Sequence, residues 1–330
     1  MVKKMNETPN LELFYDVLDE SINKLYEVKK QSFFKLLIET GRNIIAQDVL
    51  NKEATPEQKN ELMEIYHKLD DVDFNVEEIR KAFQLMVLRA FNESNLKNGD
   101  TTPDTLGIFI SYLINKLKGK VKKLNLLDPV VGSGNLLYSV ANHLDCDLHL
   151  FGIDNVRELC DIASIQGDLL NYDIEIFCQD TLDHPFSDID IVVADIPNHT
   201  VKAFDKEYYF PYMCVLQHMA SLKEDGYFIG IVPNDFFEHD ENGFFKENIV
   251  NHGSVLGVLE LPVNMFKANP KSIVIFTRKP LESKKCLLVE LPSFSDPGLL
   301  NKALIQIEDW FLINKKEVKE YGKNYGSKRR

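Results

Sequence analysis

Two glycines stand two residues apart in the run Asp128-Pro129-Val130-Val131-Gly132-Ser133-Gly134-Asn135, directly behind an apolar stretch of strand length at 124–127. In open α/β sheets a ligand sits outside the carboxyl ends of the strands, and the first strand-to-helix turn must let it come close to the backbone. Glycine permits this because it has no Cβ and accepts positive φ. A dinucleotide would call for G-x-G-x-x-G, and Gly132-Ser133-Gly134-Asn135-Leu136-Leu137 lacks the third glycine. With no pyrophosphate to hold, the loop fits the amino-acid end of S-adenosylmethionine, and Asp128 can organise its ammonium group.

Two further carboxylates end the next two apolar runs. Asp154, followed by Asn155, closes Phe151-Gly152-Ile153-Asp154, where a carboxylate can accept hydrogen bonds from both ribose hydroxyls. Asp180, followed by Thr181, closes Cys178-Gln179-Asp180 and is placed to accept from an adenine amino group. Each aspartate alone reads equally well as a helix cap or a solvated turn. Three acids at successive strand ends behind a glycine loop say more than any one of them. A fourth strand end carries Asp195-Ile196-Pro197-Asn198-His199.

The elements that must position these residues can be read from periodicity. Leu11, Phe14, Val17, Leu18, Ile22, Leu25 and Val28 lie on one helical stripe. Phe33, Leu36, Leu37, Ile44 and Ile45 make a second helix. A third opens at Thr55-Pro56-Glu57-Gln58, a capping box with proline in the first turn. A fourth opens at Asn75, capped against Glu78, and turns Ile79, Phe83, Val87 and Leu88 inward. This region shows no titratable cluster and is expected to serve packing, dimerisation or substrate contact. After the turn signal Asn98-Gly99-Asp100, strand-length apolar runs at 124–127, 148–153, 174–178, 189–194, 227–232, 255–261, 273–277 and 286–291 alternate with helical segments. That grammar implies a mostly parallel sheet. A last helix opens at Asp296-Pro297, with Leu300, Leu304, Ile307 and Trp310 on one side, and a basic tail ends Lys328-Arg329-Arg330.

The order of these motifs resembles the N6-adenine DNA methyltransferases, above all the modification subunits of type I restriction systems and their shorter relatives. Thr102-Pro103-Asp104-Thr105-Leu106, the glycine loop and the motif at Asp195 carry the resemblance, which spans residues from about 100 to 291. It implies a Rossmann-like methyltransferase fold, a mostly parallel seven-stranded sheet with helices on both faces, at 98–330, preceded by an all-α domain at 1–97. It also implies that Thr102 and Pro103 fold over the methionine end of the cofactor. The family's strand-four motif is Asn/Asp-Pro-Pro-Tyr/Phe: the first side chain and the next carbonyl accept the protons of an exocyclic amine, and the aromatic ring stacks on the extruded base. Here Asp195, Ile196, Pro197 and Asn198 fill those positions, so the acceptor is kept and the aromatic is replaced. A lost stacking partner costs about 1–3 kcal/mol per base. Tyr208, Tyr209 or Phe210 could stack instead, although aromatic clusters are more often core. The isoleucine removes proline's fixed φ, so the acceptor carbonyl is expected to be aimed less well.

Composition bounds the function. A chain of 330 residues, 44% hydrophobic and 27% charged, is ordinary globular protein. No apolar run approaches the roughly 18 residues of a membrane span, so a cytoplasmic protein without membrane contact is expected. Cys146, Cys160, Cys178, Cys214 and Cys286 fit neither a disulfide framework nor a zinc site and read as reduced, mostly buried thiols; His199, His218 and His239 lack ligand spacing, so no metal is expected. The net charge of −13 opposes nonspecific DNA binding, and no room for a target-recognition segment follows Leu291. DNA contact would therefore need a local patch or a partner subunit. Lys116, Lys118, Lys120, Lys122 and Lys123 could supply a patch, or complement a helix dipole. The expected activity is methyl transfer from S-adenosylmethionine to an exocyclic amine of nucleic acid, by a chain that can dimerise through its N-terminal helices. The alternatives are a protein or small-molecule acceptor, and a non-catalytic cofactor-binding scaffold.

Overall fold

A computed structural model of the chain describes residues 10–94, 102–203, 206–240, 242–266, 269–279 and 286–325. The expected boundary at 97/98, the turn signal at 98–100 and the basic tail at 328–330 lie outside the described residues. Helices α1 (Leu11–Val28), α2 (Phe33–Ala46), α3 (Pro56–Tyr66) and α4 (Val76–Ser94) come first, followed by α5 (Asp104–Lys118). Then β1 (Lys123–Asp128), α6 (Asn135–Ala141), β2 (Asp147–Asp154), α7 (Arg157–Leu169), β3 (Asp173–Cys178) and β4 (Ile189–Asp195) alternate. A hairpin of β5 (Thr200–Ala203) and β6 (Lys206–Tyr209) precedes α8 (Phe210–Met219) and β7 (Leu222–Pro233). The remaining elements are α9 (Phe244–Ile249), β8 (Ser254–Glu260), β9 (Lys271–Thr277), β10 (Leu287–Glu290) and α10 (Pro297–Tyr325).

Local sequence explains the helix starts. Thr55 and Gln58 make the expected capping box, with Gln58 N–H donating to Thr55 Oγ1 at 3.2 Å and Thr55 N–H to Gln58 Oε1 at 2.9 Å. Asn75 and Glu78 repeat it at α4, at 3.0 and 3.1 Å. The described residues fall into two compact units, Met1–Tyr112 with Lys122–Asp183, and Leu113–Val121 with His184–Arg330.

In the first unit β1, β2 and β3 pair in parallel, with Asp128 opposite Gly152 and Asp154 opposite Cys178. Their carboxyl ends therefore share one edge, on strands spaced about 4.8 Å apart. The helical region does not close on itself alone: Leu18, Leu25, Leu37, Phe83 and Met86 share a core with Ile162 and Ile165 of α7. Inside that core Ser21 Oγ lies 2.7 Å from Tyr66 Oη and 2.9 Å from Thr40 Oγ1, and Asn43 Nδ2 donates to Tyr66 Oη at 3.0 Å. Desolvation raises the Tyr66 pKa, so the phenol stays neutral and shares its proton within this network.

In the second unit the strand order is β10-β8-β9-β7-β4. β4 pairs with β7, and β10 with β8, in parallel; β9 runs antiparallel to both its neighbours. The sheet thus has eight strands, one more than the seven expected, and all eight apolar runs read from the sequence belong to it. The extra strand is β10, four residues at the edge. The cysteines depart from expectation too: Cys160 and Cys214 are buried, Cys146 and Cys286 half-buried, and Cys178 exposed, all as free thiols. Replacing Tyr66 with Phe leaves Ser21 and Asn43 without their buried partner. Urea melts should show a loss of about 1–3 kcal/mol, and an unchanged midpoint would remove the network from the account of the helical region.

Candidate functional site

Each of the first three strands ends in the same device. Asp128 Oδ1 accepts the N–H of Val130 at 3.0 Å, Asp154 Oδ1 that of Val156 at 2.8 Å, and Asp180 Oδ1 that of Leu182 at 2.9 Å. An aspartate that binds the backbone two residues on turns the chain sharply away from the strand. The cap reading and the ligand reading are therefore not exclusive, because one oxygen does the turning and a carboxylate has lone pairs to spare.

Asp154 does more. Its Oδ2 accepts the N–H of Gly132 at 2.9 Å, so the glycine loop is tied to the end of β2 through the carboxylate itself. Val131 N–H donates to Ile153 O at 2.8 Å, and Gln166 Nε2 of α7 donates to Ser133 O at 2.7 Å. Gly132 and Gly134 have φ of +53° and +90°, the left-handed region that side chains rarely adopt. A Cβ at Gly134 would stand 2.3 Å from the Tyr138 ring, whereas one at Gly132 would meet nothing within 4 Å. The open space at Gly132, the backbone turned outward and the carboxylate beside it suit an amino-acid and ribose ligand of the cofactor's chemistry.

Burial raises the pKa of Asp154, partly countered by hydrogen bonds from Val156, Gly132 and Asn155. Asp128 is buried, Asp180 and Asn155 are exposed, and Thr181 is buried at the start of a short 3-10 turn. Asn135 opens α6, where its Oδ1 accepts from Arg80 at 2.8 Å and its Nδ2 donates to the carbonyl of Thr102 at 2.9 Å. Thr102 and Pro103 lead into α5 and are brought by this bond to the glycine loop. Asp128, Pro129, Gly132, Ser133, Gly134, Asn135, Asp154, Asn155, Asp180 and Thr181 thus gather at one sheet edge with Thr102.

The sequence reading found no titratable cluster in the helical region, and the structure corrects this. Arg80 of α4 is wholly buried, 0% exposed, and all three of its guanidinium nitrogens donate. Nε and Nη2 donate to Glu77 at 2.8 and 2.8 Å, Nη1 and Nη2 to Asp104 at 3.1 and 2.9 Å, and Nη1 also to Asn135 at 2.8 Å, with Gln84 Oε1 a longer third acceptor at 3.4 Å. Burial disfavours its charge, but Glu77 and Asp104 outweigh that and raise its pKa. The signal was present: Arg80 sits on the stripe of Phe83 and Val87, where a solvent-facing arginine does not belong.

In the second unit the fourth motif sits at the end of β4. Asp195 is opposite Ile231 of β7, and its Oδ1 accepts from Lys271 Nζ at 2.9 Å, with side-chain exposures of 12% and 11%. Lys271 also lies over the Phe266 ring at 4.7 Å. Ile196 donates its N–H to Ile231 O at 3.0 Å and buries its side chain, so the ladder continues past Asp195. A proline there would fix φ without an N–H; isoleucine instead fixes the backbone by pairing and burial. The carbonyl is thus held, where the sequence led us to expect poorer aim. Pro197, Asn198 and His199 are exposed.

The His199 ring stacks on Phe210 at 4.4 Å and 19°. Phe210 is buried beneath it, Tyr208 packs on Phe244, and Tyr209 stacks on His239 at 4.0 Å; burial pushes the Tyr209 phenol up to about 12. These three aromatics form packed structure. Two of the lysines before β1 are likewise committed: Lys116 pairs with Glu308 at 2.7 Å, and Lys118 with Asp225 at 2.8 Å. No cluster of metal-ligating side chains occurs among the described residues, and no described helix is long and apolar enough to cross a membrane.

Comparison with known proteins decides the family. The N-6 DNA Methylase family model matches residues 83–325, and the model of the YtxK N-terminal helical domain matches 12–91. The chain belongs to the N-6 DNA methylase family. It is 31% identical over 319 residues to protein YtxK of Bacillus subtilis, covering 90% of this chain and 96% of that one. A protein from Listeria monocytogenes assigned to the class I S-adenosylmethionine-dependent methyltransferases superposes with a TM-score of 0.83 at 28% identity, over 92% of this chain and 100% of that one. The methyltransferase subunit of a type I restriction-modification system from Streptococcus thermophilus shares the fold, with a TM-score of 0.58 at 16% identity over 91% and 74% of the two chains. The fold is the α/β methyltransferase fold behind a helical N-terminal domain, and the cofactor is S-adenosylmethionine.

Two outcomes follow for the loop and its carboxylate. Gly134→Ala forces a left-handed alanine against the Tyr138 ring and should cost about 1–3 kcal/mol of stability, together with cofactor affinity, by thermal melting and calorimetry. Burial holds the Asp154 pKa above the usual aspartate value, so its ionised form grows in as pH rises through the raised pKa. Cofactor affinity should therefore increase between the usual aspartate pKa and the raised one, while the unliganded fold loses over the same interval the stability that protonated Asp154 gives it at lower pH. Asp154→Asn should flatten both profiles; a variant profile that still follows the wild type would assign the titration to another group.

Proposed function

We propose that the chain transfers the methyl group of S-adenosylmethionine to an exocyclic amine of nucleic acid, with Asp195 as the hydrogen-bond acceptor for that amine. Family membership supports the reaction class, and the observation that carries the assignment is Asp195 at the carboxyl end of β4, half-buried and paired with Lys271. The bound cofactor supplies a methyl already activated by its sulfonium, so transfer is direct and needs placement above all. Thr102, Pro103, Asp128, Pro129, Gly132, Ser133, Gly134 and Asn135 would hold the methionine end. Asp154 and Asn155 would take the ribose and Asp180 and Thr181 the adenine. The Ile196 carbonyl would be the second acceptor, with Pro197 and Asn198 completing the loop.

The charge of −13 and the pairing of Lys116 and Lys118 with acids favour a partner subunit as the source of positive charge for DNA. The same two observations, with Asn198 in the place of an aromatic ring, favour as second reading an acceptor on a protein or small molecule. Incubation with radiolabelled S-adenosylmethionine and fractionated cell extract distinguishes them. Label in the nucleic-acid fraction supports the first reading, and label confined to protein or small molecules removes it. Asp195→Ala should abolish transfer while cofactor affinity stays within about twofold. Lys271→Met, which leaves the Asp195 carboxylate without its half-buried cation, should reduce transfer by about tenfold or more; full activity in either variant would refute the assigned acceptor.

A further inference from the structure

We propose that Arg80 is a positioning residue for the cofactor site, setting affinity for the methionine end of S-adenosylmethionine from within the helical N-terminal domain. The inference rests on the reading that Thr102 and Pro103 cover that end. Its geometry lies within one compact unit. Arg80 grips Asp104, the first residue of α5, through two parallel N–H bonds, and takes Asn135, the first residue of α6, through Nη1 at 2.8 Å, the shortest contact of that nitrogen. Asn135 passes the constraint on to the Thr102 carbonyl. Glu77 holds the other side of the guanidinium and is itself fixed by Asn142 Nδ2, next after α6.

Two segments distant in sequence, the Thr102-Pro103 entry and the glycine loop, are therefore referenced to one planar cation on α4. A guanidinium is suited to this because its five donors have a fixed fork geometry. These two bonds use one lone pair of Asn135 Oδ1 and one N–H of Nδ2, so they fix the side chain and leave each atom one further hydrogen-bonding position. The helical domain on this account is part of the cofactor site rather than an appendage that docks elsewhere. Cofactor affinity should respond to changes on α4 that touch no ligand atom.

Asp104→Asn removes the charged half of the grip while keeping its shape, and Arg80→Lys keeps the charge but cannot bridge three partners. Each variant is titrated calorimetrically with S-adenosylmethionine and with 5′-methylthioadenosine, which lacks the amino-acid end. Dissociation constants for the whole cofactor should rise about tenfold, while those for the truncated nucleoside stay within about twofold. A purely structural role would weaken both ligands in parallel, and that result, or wild-type affinity in both variants, overturns the proposal. Pro103→Gly with Arg80 intact tests the underlying reading by itself. Unchanged cofactor affinity there removes the reading, whereas a loss there beside wild-type affinity in Asp104→Asn removes only the relay.

Discussion

The carboxylate of Asp154 accepts one N–H from the glycine loop and one from the turn that begins α7, and the ends of β1 and β2 are organised around those two bonds. Parallel pairing of β1, β2 and β3 brings their ends to one edge, but pairing alone leaves the loop after β1 free to adopt many paths. The bond from Gly132 selects one. That path needs two positive φ angles, which glycine supplies at 132 and 134. The half-buried carboxylate tolerates its setting because backbone donors replace part of the lost water.

Arg80 plays the corresponding part on the other side of the loop. A buried cation without partners would be far more costly than a buried apolar residue, so its five donors had to be met together. They are met by groups on α4, α5 and α6, which couples the helical domain to the site. The shared core of α1 to α4 with α7 carries the same message in apolar terms. The helical domain and the first three strands fold as one body of contacts, and the family models of the helical domain and of the methylase overlap at residues 83–91 of α4.

The fourth motif departs from the family pattern in two residues, and the two departures differ physically. Ile196 replaces the rigidity of a proline ring with a ladder bond and a buried side chain, so the backbone at the acceptor is still constrained. Asn198 replaces an aromatic platform with an exposed amide, and the neighbouring aromatics Tyr209 and Phe210 are engaged with one another's surroundings. Constraint at the acceptor is kept while the flat surface at 198 is not. Lys271 adds a cation to Asp195 that a reading of the motif by itself does not anticipate.

What the sequence determined by itself was local. Helix starts at Thr55 and Asn75, the eight strand-length runs, the need for glycine at 132 and 134, and the aspartates that end strands all follow from spacing over a few residues, because helix and strand periods are short-range properties. The tertiary structure decided the partners. Arg80 meets Asn135 across 55 positions and Lys271 meets Asp195 across 76, and no periodicity links residues so far apart. The sequence could show that Arg80 lay on an apolar stripe, but not which acids would neutralise it. Strand order and helix packing set those distances, and through them they tied an isolated charge on a helix to the first residues of α5 and α6.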